Sequence, residues 1–339
     1  MSAIPPATPS ATAKPTLAER GPVPLTPPVP GPPPRRRRLP LAPYLFLFPF
    51  LAVFALFTIV PLAQSVWLVF LQTNGPETRV FVGLDNFRWL FTRDPDFYRS
   101  LLNIVLYTAG SMFIQLPASL GLALLLNRPD IRARGFWRLI FFAPVLVGLV
   151  FVAIIFGLLF APNNGLINTL LYQFTLMLDR VVPFYPGAWV FDPEFRWTAE
   201  FAMPAMIIAS FWMYVGFNMI YFLAALQNVS KDLVEAAEVD GAGPWSRFVH
   251  VTVPAIRPIA TFVVLLSLIG SVQLFELPYL LIGPDGGPGQ RGLTPIMHLF
   301  AKGFDAGDLG YASTIGWIIA VVLFAFALIQ NKLSDPGTD

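Results

Sequence analysis

The chain of 339 residues contains no cysteine, only two histidines and few charged residues, which make up 12% of it. Without cysteine it forms no disulfide, no thiolate metal site and no cysteine nucleophile. His250 and His298 are far apart in sequence, so a histidine-based metal cluster is not expected. A soluble domain is about one quarter charged, and this chain is 55% apolar, more than one soluble core can hide. The composition therefore disfavours a soluble enzyme.

Two further features that the sequence lacks bear on its possible partners and on its energy source. The formal net charge is only +2, whereas nucleic-acid-binding proteins carry a broad basic face, so no nucleic-acid partner is expected. The sequence has no Gly-x-x-x-x-Gly-Lys-Ser/Thr motif that would cradle ATP phosphates. Ion-coupled carriers usually place carboxylates or histidines at mid-membrane, and Glu276 is the one charge well inside an apolar segment. A transporter built from this chain would draw its energy from another polypeptide. We expect no cofactor, no metal and no catalytic residue in the chain itself.

Long apolar segments are what the sequence does contain. A helix needs about 20 apolar residues to cross the hydrocarbon core of a membrane. Six segments reach that length, at approximately residues 42–71, 101–126, 139–160, 201–226, 259–282 and 312–330. None alternates strictly between apolar and polar residues, as strands of a membrane barrel do. The sequence predicts an all-α membrane protein with six transmembrane helices within residues 41–332.

Basic residues predict the orientation of these helices. The four consecutive arginines Arg35 to Arg38 precede the first segment, and four more arginines lie between residues 128 and 138, joining the second segment to the third. Cytoplasmic loops carry such an excess of Lys and Arg, so both termini are expected in the cytoplasm. Residues 1–40 hold 13 prolines and are predicted to be a disordered cytoplasmic tail. Residues 333–339 are predicted to be a short cytoplasmic tail.

The predicted cytoplasmic loop of residues 228–258 is the most informative segment. Ser230 is a suitable N-cap for a short helix, and Gly241 is a suitable stop. Pro244 can begin a second short helix, which Pro254 and Pro258 are expected to end. Two short helices joined by a glycine turn make a rigid, shallow connector. The residues alone leave two interpretations: the loop docks a partner protein, or it lies on the membrane or on its own bundle.

The same loop resembles the EAA motif of the integral-membrane subunits of bacterial ABC importers. The resemblance is carried by Glu235-Ala236-Ala237, Asp240-Gly241-Ala242 and Val251-Thr252-Val253-Pro254, where valine replaces both the Ile and the Leu of the family pattern. Two later segments resemble the last external loop and final span of the carbohydrate-type permeases, similar to the maltose-type F and glycerol-3-phosphate-type A subunits. They are Gly286-Gly287-Pro288 followed by Thr294, and Gly310-Tyr311-Ala312-Ser313.

This resemblance implies a type I ABC importer permease fold with a cytoplasmic coupling helix, in a bacterial cytoplasmic membrane. It implies an import mechanism of alternating access for a sugar or related polyol. The partners it implies are an ATP-binding subunit dimer that holds ATP and Mg²⁺, a second permease, and an extracytoplasmic solute-binding protein. The second permease is expected to be a different homologue, in a heterodimer, and a homodimer is the alternative. The implied ATPase-coupling residues are Glu235, Ala236, Ala237, Asp240, Gly241 and Pro254.

Polar side chains inside the apolar segments are candidates for the solute path, because each is costly unless it faces a partner or water. Asn218 has aromatic neighbours at helical spacing, and Gln273 and Glu276 lie one turn apart. In the resembled family, the solute is held by the spans on either side of the coupling loop. The predicted path residues are Tyr214, Phe217, Asn218, Gln273, Phe275 and Glu276. For the aromatic residues, simple packing between helices is the alternative interpretation.

Two rival functions remain open from the sequence. A secondary carrier or channel would need no ATPase, but the missing intramembrane charges argue against it. A membrane enzyme would need convergent catalytic groups, and only His250 with Glu235 and Asp240 offers such a cluster.

Overall fold

The computed structural model describes residues 41–75, 77–181 and 190–334. The chain divides into two compact units, residues 1–55 and 56–339. Of the first unit, the structure describes the helix α1, Leu41–Phe54. The predicted disordered tail of residues 1–40 lies outside the described residues, and so do residues 335–339 of the predicted C-terminal tail.

Helices dominate the second unit, with one β-hairpin. In chain order the elements are α2 (Val60–Leu68), β1 (Leu71–Asn74), β2 (Thr78–Phe81), α3 (Asp85–Arg93), α4 (Pro95–Asn127), α5 (Arg134–Val147), α6 (Leu149–Leu159), α7 (Leu166–Val181), α8 (Trp197–Glu200), α9 (Ala202–Gln227), α10 (Lys231–Val239), α11 (Pro244–Arg247), α12 (Val253–Val272), α13 (Glu276–Leu281), α14 (Pro295–Phe300) and α15 (Leu309–Ser334). Single π-helical turns follow α11 at Phe248–Thr252 and α14 at Ala301–Asp305.

Five helices of the described chain are long and apolar enough to cross a membrane, by length and composition. They are Tyr44–Leu68, Pro95–Asn127, Ala202–Gln227, Pro244–Val272 and Leu309–Gln330. The pair α5 and α6 makes a sixth only if the two helices count as one broken span, because they are bent by 99°. The predicted all-α membrane fold is thus confirmed with five or six spans.

The segment predicted as the third span, residues 139–160, is not one continuous helix. It breaks at Gly148, whose φ is +86° and lies in the region that only glycine adopts without strain. Pro144 lies inside α5, but the break comes four residues later. Residues 139–160 therefore form a broken span or a re-entrant loop.

The segment predicted as the fifth span, residues 259–282, also differs. The helix ends at Val272, and α13 begins at Glu276 after a short break. Pro278 has no amide to donate to the carbonyl of Leu274, four residues earlier. The hydroxyl of Thr294 donates to that carbonyl instead, at 2.8 Å. The break therefore follows from a missing helical hydrogen bond that a side chain replaces.

The expectation that Pro254 and Pro258 end the second short helix of the loop is wrong. One helix runs from Pro244 to Val272. At its π turn, the amide of Val253 donates to the carbonyl of Phe248, five residues back. In a regular helix, a proline clashes with the carbonyl four residues before it. Pro254 directly follows the π turn, where the hydrogen bond spans five residues instead of four, so the helix can continue through this proline. The loop is thereby continuous with a membrane helix.

Two buried cores lie along α9, which packs on α4 over much of its length. One core includes Met206 and Met213 of α9, and the other includes Met219 and Phe222, nearer its C-terminus. Between the two cores, α5 packs directly on α9 at Gly216. A Cβ there would lie 1.8 Å from the carbonyl oxygen of Phe141, so only glycine permits this approach.

The β-hairpin is a feature that the predicted all-α fold did not include. Its register pairs Leu71 with Phe81 and Asn74 with Thr78. The hairpin packs on the start of α15, where a Cβ on Gly310 would lie 1.8 Å from the carbonyl oxygen of Leu71. The amide of Gly310 donates to the hydroxyl of Thr73 at 3.2 Å. Backbone contact therefore fixes this end of the last helix.

Candidate coupling helix and solute cavity

A small cavity of about 100 Å³ lies between α4, α9 and α12. Along α9 its wall consists of Tyr214, Phe217 and Asn218, which fall between the two cores and near the middle of the 26-residue helix. Solute sites of transporters commonly lie near the middle of the bilayer. The structure thus brings three of the six predicted path residues to one mid-helix cavity.

Polar atoms of the cavity are largely buried. Asn218 is 4% exposed and Gln115 is 7% exposed. The amide nitrogen of Asn218 has no hydrogen-bond partner among the described residues. An unpaired buried donor costs roughly 1–3 kcal/mol. A cavity lined by a residue with such a donor is suited to a ligand with an acceptor oxygen.

Aromatic rings extend from the cavity wall toward the C-terminal end of α9. The centroids of Tyr214 and Phe217 are 6.5 Å apart, and those of Phe217 and Tyr221 are 5.2 Å apart in an edge-on arrangement. Tyr221 in turn contacts Phe262 of α12, at 5.9 Å. The rings both pack the helices together and present apolar faces beside the polar groups.

The other three predicted path residues lie outside this cavity, at the break between α12 and α13. Gln273 and Glu276 are exposed, and Phe275 is half-buried. Phe275 packs on Tyr279 and Phe300, with centroids 5.0 and 5.1 Å away. Because α12 ends at Val272, helical spacing does not carry these residues onto the cavity face of α12. The structure therefore separates the predicted set into two groups.

Several cavity residues were not singled out from the sequence. On α4 they are Tyr107 and Ser111, and on α12 they are Ser267 and Ser271. Each set recurs every four residues, which places its members on one face of a helix. In the sequence, these residues could have been found as polar side chains that recur with this period inside an apolar segment.

The helix α10 buries none of its own residues. Leu233 is 59% exposed and Val239 is 87% exposed. Of the predicted coupling residues, Glu235, Ala236, Asp240 and Pro254 are exposed, and Ala237 is half-buried. Ser230 occupies the predicted N-cap position, although its side chain makes no capping hydrogen bond. An amphipathic helix with so little contact to its own chain is available to a partner.

Gly241 ends α10 in the manner predicted. Its φ is +82°, the left-handed conformation that a glycine after a helix favours. Its amide donates to the carbonyl of Glu238 at 3.0 Å, and the amide of Ala242 donates to that of Ala237 at 2.9 Å. These two bonds form a Schellman motif. The turn at Gly241 therefore has a fixed geometry.

An ion pair closes the loop beyond the turn. The guanidinium of Arg247 lies 2.5 Å from the carboxylate of Glu238, which is 65% exposed. Exposed pairs of this kind contribute at most about 1 kcal/mol. The pair orients α11 relative to α10 more than it stabilises the fold.

A cleft of about 630 Å³ separates α10 from the end of α4 and the start of α5. Glu235 and Lys231 line one side, and Arg134 and Arg138 line another. The predicted coupling carboxylate thus lies beside a basic surface of the same chain.

Residues 103–339 match the family described as binding-protein-dependent transport system inner membrane component. The arabinooligosaccharides transport system permease protein AraP of Bacillus subtilis (strain 168) is 34% identical over 282 residues, covering 83% of this chain and 84% of AraP. The lactose transport system permease protein LacF of Rhizobium radiobacter is 31% identical, covering 81% of this chain and 88% of LacF.

The fold is also similar to that of a solved structure. A chain of a bacterial ABC transporter involved in the import of the acidic polysaccharide alginate superimposes with a TM-score of 0.73 over 88% of this chain and 96% of that chain, at 23% identity. The fold is therefore that of an ABC importer permease. With the sequence match over residues 103–339, the chain belongs to the family of inner membrane components of binding-protein-dependent transport systems.

Proposed function

We propose that this chain is the permease subunit of an ATP-driven importer for a sugar or a related polyol. One observation carries the proposal: in a member of this family, the helix α10 with its Glu235-Ala236-Ala237 sequence buries no residue against its own chain. The chain has no ATP-binding loop motif. A separate ATP-binding subunit dimer, which binds ATP and Mg²⁺, would dock on α10.

The loop is built to transmit movement to the cavity. Ala236 and Ala237 are small, so a partner can approach the backbone closely. Before the loop, α9 carries Asn218, and after it one continuous helix runs from Pro244 to Val272 and carries Ser271. From Pro244 to the cavity wall this helix spans roughly 35–40 Å. A displacement of the loop therefore moves two walls of the cavity, which is the coupling that alternating access requires.

The cavity chemistry suits a hydroxylated solute. Amide and hydroxyl groups can bond sugar hydroxyls, and aromatic faces can cover the apolar faces of a sugar ring. The relatives named for arabinooligosaccharides, lactose and sn-glycerol-3-phosphate transport support this class. Gln273, Phe275 and Glu276 remain proposed path residues, reached through the break before α13.

The size of the cavity supports a second permease. Ligand pockets commonly measure about 300–1,000 Å³, and this one is about 100 Å³. We infer that the chain supplies one wall and that a homologous partner, in a heterodimer, supplies the other. An extracytoplasmic solute-binding protein would deliver the solute at the end opposite to α10. In this arrangement, in a bacterial cytoplasmic membrane, α10 and both termini are cytoplasmic.

Reversal of the charge at Glu235 tests the coupling role. The Glu235→Lys variant should reach the membrane at the wild-type level but retain less of the ATP-binding subunit on co-purification, and should lose solute-stimulated ATP hydrolysis. The matched control is Glu77→Lys, because Glu77 is an exposed carboxylate in the turn of the β-hairpin. It should co-purify the ATP-binding subunit normally. Full coupling in Glu235→Lys would disprove the role of α10.

A further inference from the structure

A second cluster of ligand-type side chains lies at the other end of the bundle from α10. Asp94 immediately precedes α4, and Asn127 at the far end of this 33-residue helix lines the cleft beside α10. The two ends of α4 are roughly 50 Å apart. The cluster is therefore remote from the coupling helix and is separate from the mid-helix cavity.

The carboxylate of Asp94 joins three elements. One oxygen accepts hydrogen bonds from Nε2 of His298 in α14 at 2.7 Å and from the hydroxyl of Tyr311 in α15 at 2.5 Å. The other accepts from the amide of Phe97 in α4 at 3.0 Å. The side chains of His298 and Asp94 are 4% and 5% exposed. The carboxylate of Asp94 is therefore buried and hydrogen-bonded to groups of α4, α14 and α15.

A second carboxylate, that of Asp96, lies beside this pair. Ligand atoms of Asp94, Asp96 and His298 all fall within 4.8 Å of one another. Asp96 is half-buried. Its carboxylate makes none of the hydrogen bonds or ion pairs found in the described chain. It contributes a negative charge to the cluster without serving the network that joins α4, α14 and α15.

A cavity of about 390 Å³ opens onto the cluster, and His298 lines it despite its burial. Nε2 is bonded to Asp94, and the described residues give the remaining ring nitrogen, Nδ1, no hydrogen bond. The same cavity is lined by Asp96, Asp285, Asp305 and one cation, Lys302. A buried imidazole with an available nitrogen therefore faces a space with three carboxylates and a single lysine.

We propose that this cluster binds a divalent transition-metal ion of the Zn²⁺ or Mn²⁺ type. Asp96 and His298 are ligands, and Asp94 is the buried carboxylate that orients the imidazole. A mixed set of carboxylate and imidazole ligands suits these ions. Hydrogen bonding of a ligand histidine to a carboxylate is the usual outer-shell arrangement at metal sites. Asp305 and Asp285 on the cavity wall offer further oxygens.

Metal binding by the purified full-length chain in detergent tests the proposal. After treatment with a chelator and desalting, the wild type should bind one Zn²⁺ or Mn²⁺ ion saturably in a calorimetric titration. Its melting temperature should rise as the ion is added, because a ligand that binds only the folded state stabilises it. Because Asp96 is a ligand, Asp96→Asn should weaken binding by at least the roughly 10- to 100-fold that loss of an outer-shell partner costs. Its metal-free melting temperature should stay near that of the wild type, since Asp96 holds none of the hydrogen bonds of the network.

Two further variants complete the design. His298→Gln should also lose metal binding, but it removes a buried hydrogen bond and can fail to fold, so Asp96→Asn is the decisive variant. Asp232→Asn, an exposed carboxylate of α10, should bind the ion like the wild type. Absence of saturable binding of either ion by the wild type, or equal affinity in the wild type and Asp96→Asn, would overturn the site.

Discussion

At the residue scale, two buried asparagines differ in whether their side-chain amides are hydrogen-bonded within the fold. Asn103 of α4 donates its amide hydrogens to the carbonyls of Gln290 and Leu293, at 2.7 and 3.0 Å. Asn218 of α9 is buried to a similar degree and lines the cavity, but its amide nitrogen has no partner among the described residues. The amide of the first residue is used by the fold, whereas that of the second is left for the solute contact proposed above.

Replacing each asparagine with leucine should therefore have opposite effects. Asn103→Leu removes both bonds: the carbonyl of Gln290 still accepts from the amide of Leu293, but the buried carbonyl of Leu293 loses its side-chain partner. Stability should fall by about 1–3 kcal/mol. Asn218→Leu removes a donor that is already unpaired, so its melting temperature should not fall. It should instead abolish stimulation of ATP hydrolysis by the solute. The measurements are thermal unfolding in detergent and ATPase assays of the reconstituted complex, with arabinooligosaccharides, lactose and sn-glycerol-3-phosphate as probes. Normal stimulation in Asn218→Leu would remove this residue from the solute path.

The sequence identified part of this site for a physical reason. Helical spacing places Tyr214, Phe217 and Asn218 together, and α9 is regular over its whole length, so periodicity was sufficient. Spacing could not show that Gln273 and Glu276 lie outside the cavity, because it assumes a continuous helix. The break there depends on the missing amide of Pro278 and on a hydroxyl from Thr294, a residue distant in sequence. No local pattern reveals which carbonyl a remote side chain will bond.

At the scale of an element, the coupling loop depends on the backbone conformation of one glycine. Gly241 has a φ of +82°, and a Cβ at this position would meet no atom within 4 Å. Alanine would thus fit in space but be strained in conformation, by about 1–2 kcal/mol. Gly241→Ala should loosen the turn between α10 and α11. Transport should fall and ATP hydrolysis should respond less to solute, while membrane insertion is retained.

Gly243 provides the matched control for this prediction. It lies two residues further along the same loop, and a Cβ there would also meet no atom within 4 Å, but its φ of −66° is open to any residue. Gly243→Ala should couple normally. If both variants behave alike, the fixed turn is not what transmits movement.

Like the residues of the cavity, the membrane helices could be predicted from the sequence only in part. Hydropathy detects length and composition, and it located every candidate span of the described chain. It could not detect the 99° bend between α5 and α6, since a single left-handed residue, Gly148, makes that bend. It also missed the hairpin of Leu71–Asn74 and Thr78–Phe81, which is short and is held by backbone contacts to a distant helix start.

At the scale of the whole molecule, the second unit has two ends with different chemistry. At one end are α10, the cleft with Arg134 and Arg138, and the turn at Gly241. At the other are Asp94, His298 and the acidic cavity. The helices α4 and α9 run from one end to the other, with the solute cavity between them. This polarity gives the proposed orientation a direct test, because each end carries exposed positions suited to labelling.

The absence of cysteine makes that test simple, since any thiol introduced is the only one in the chain. Val239 at the end of α10 is 87% exposed, and Leu84 beside the hairpin is 66% exposed. In sealed, right-side-out vesicles, a membrane-impermeant maleimide should label the Leu84→Cys variant and not the Val239→Cys variant. Detergent should make both reactive, which shows that each thiol is accessible. Labelling of Val239→Cys alone in sealed vesicles would place α10 outside the cell, where no cytoplasmic ATPase could reach it, and the proposed energy coupling would fail with it.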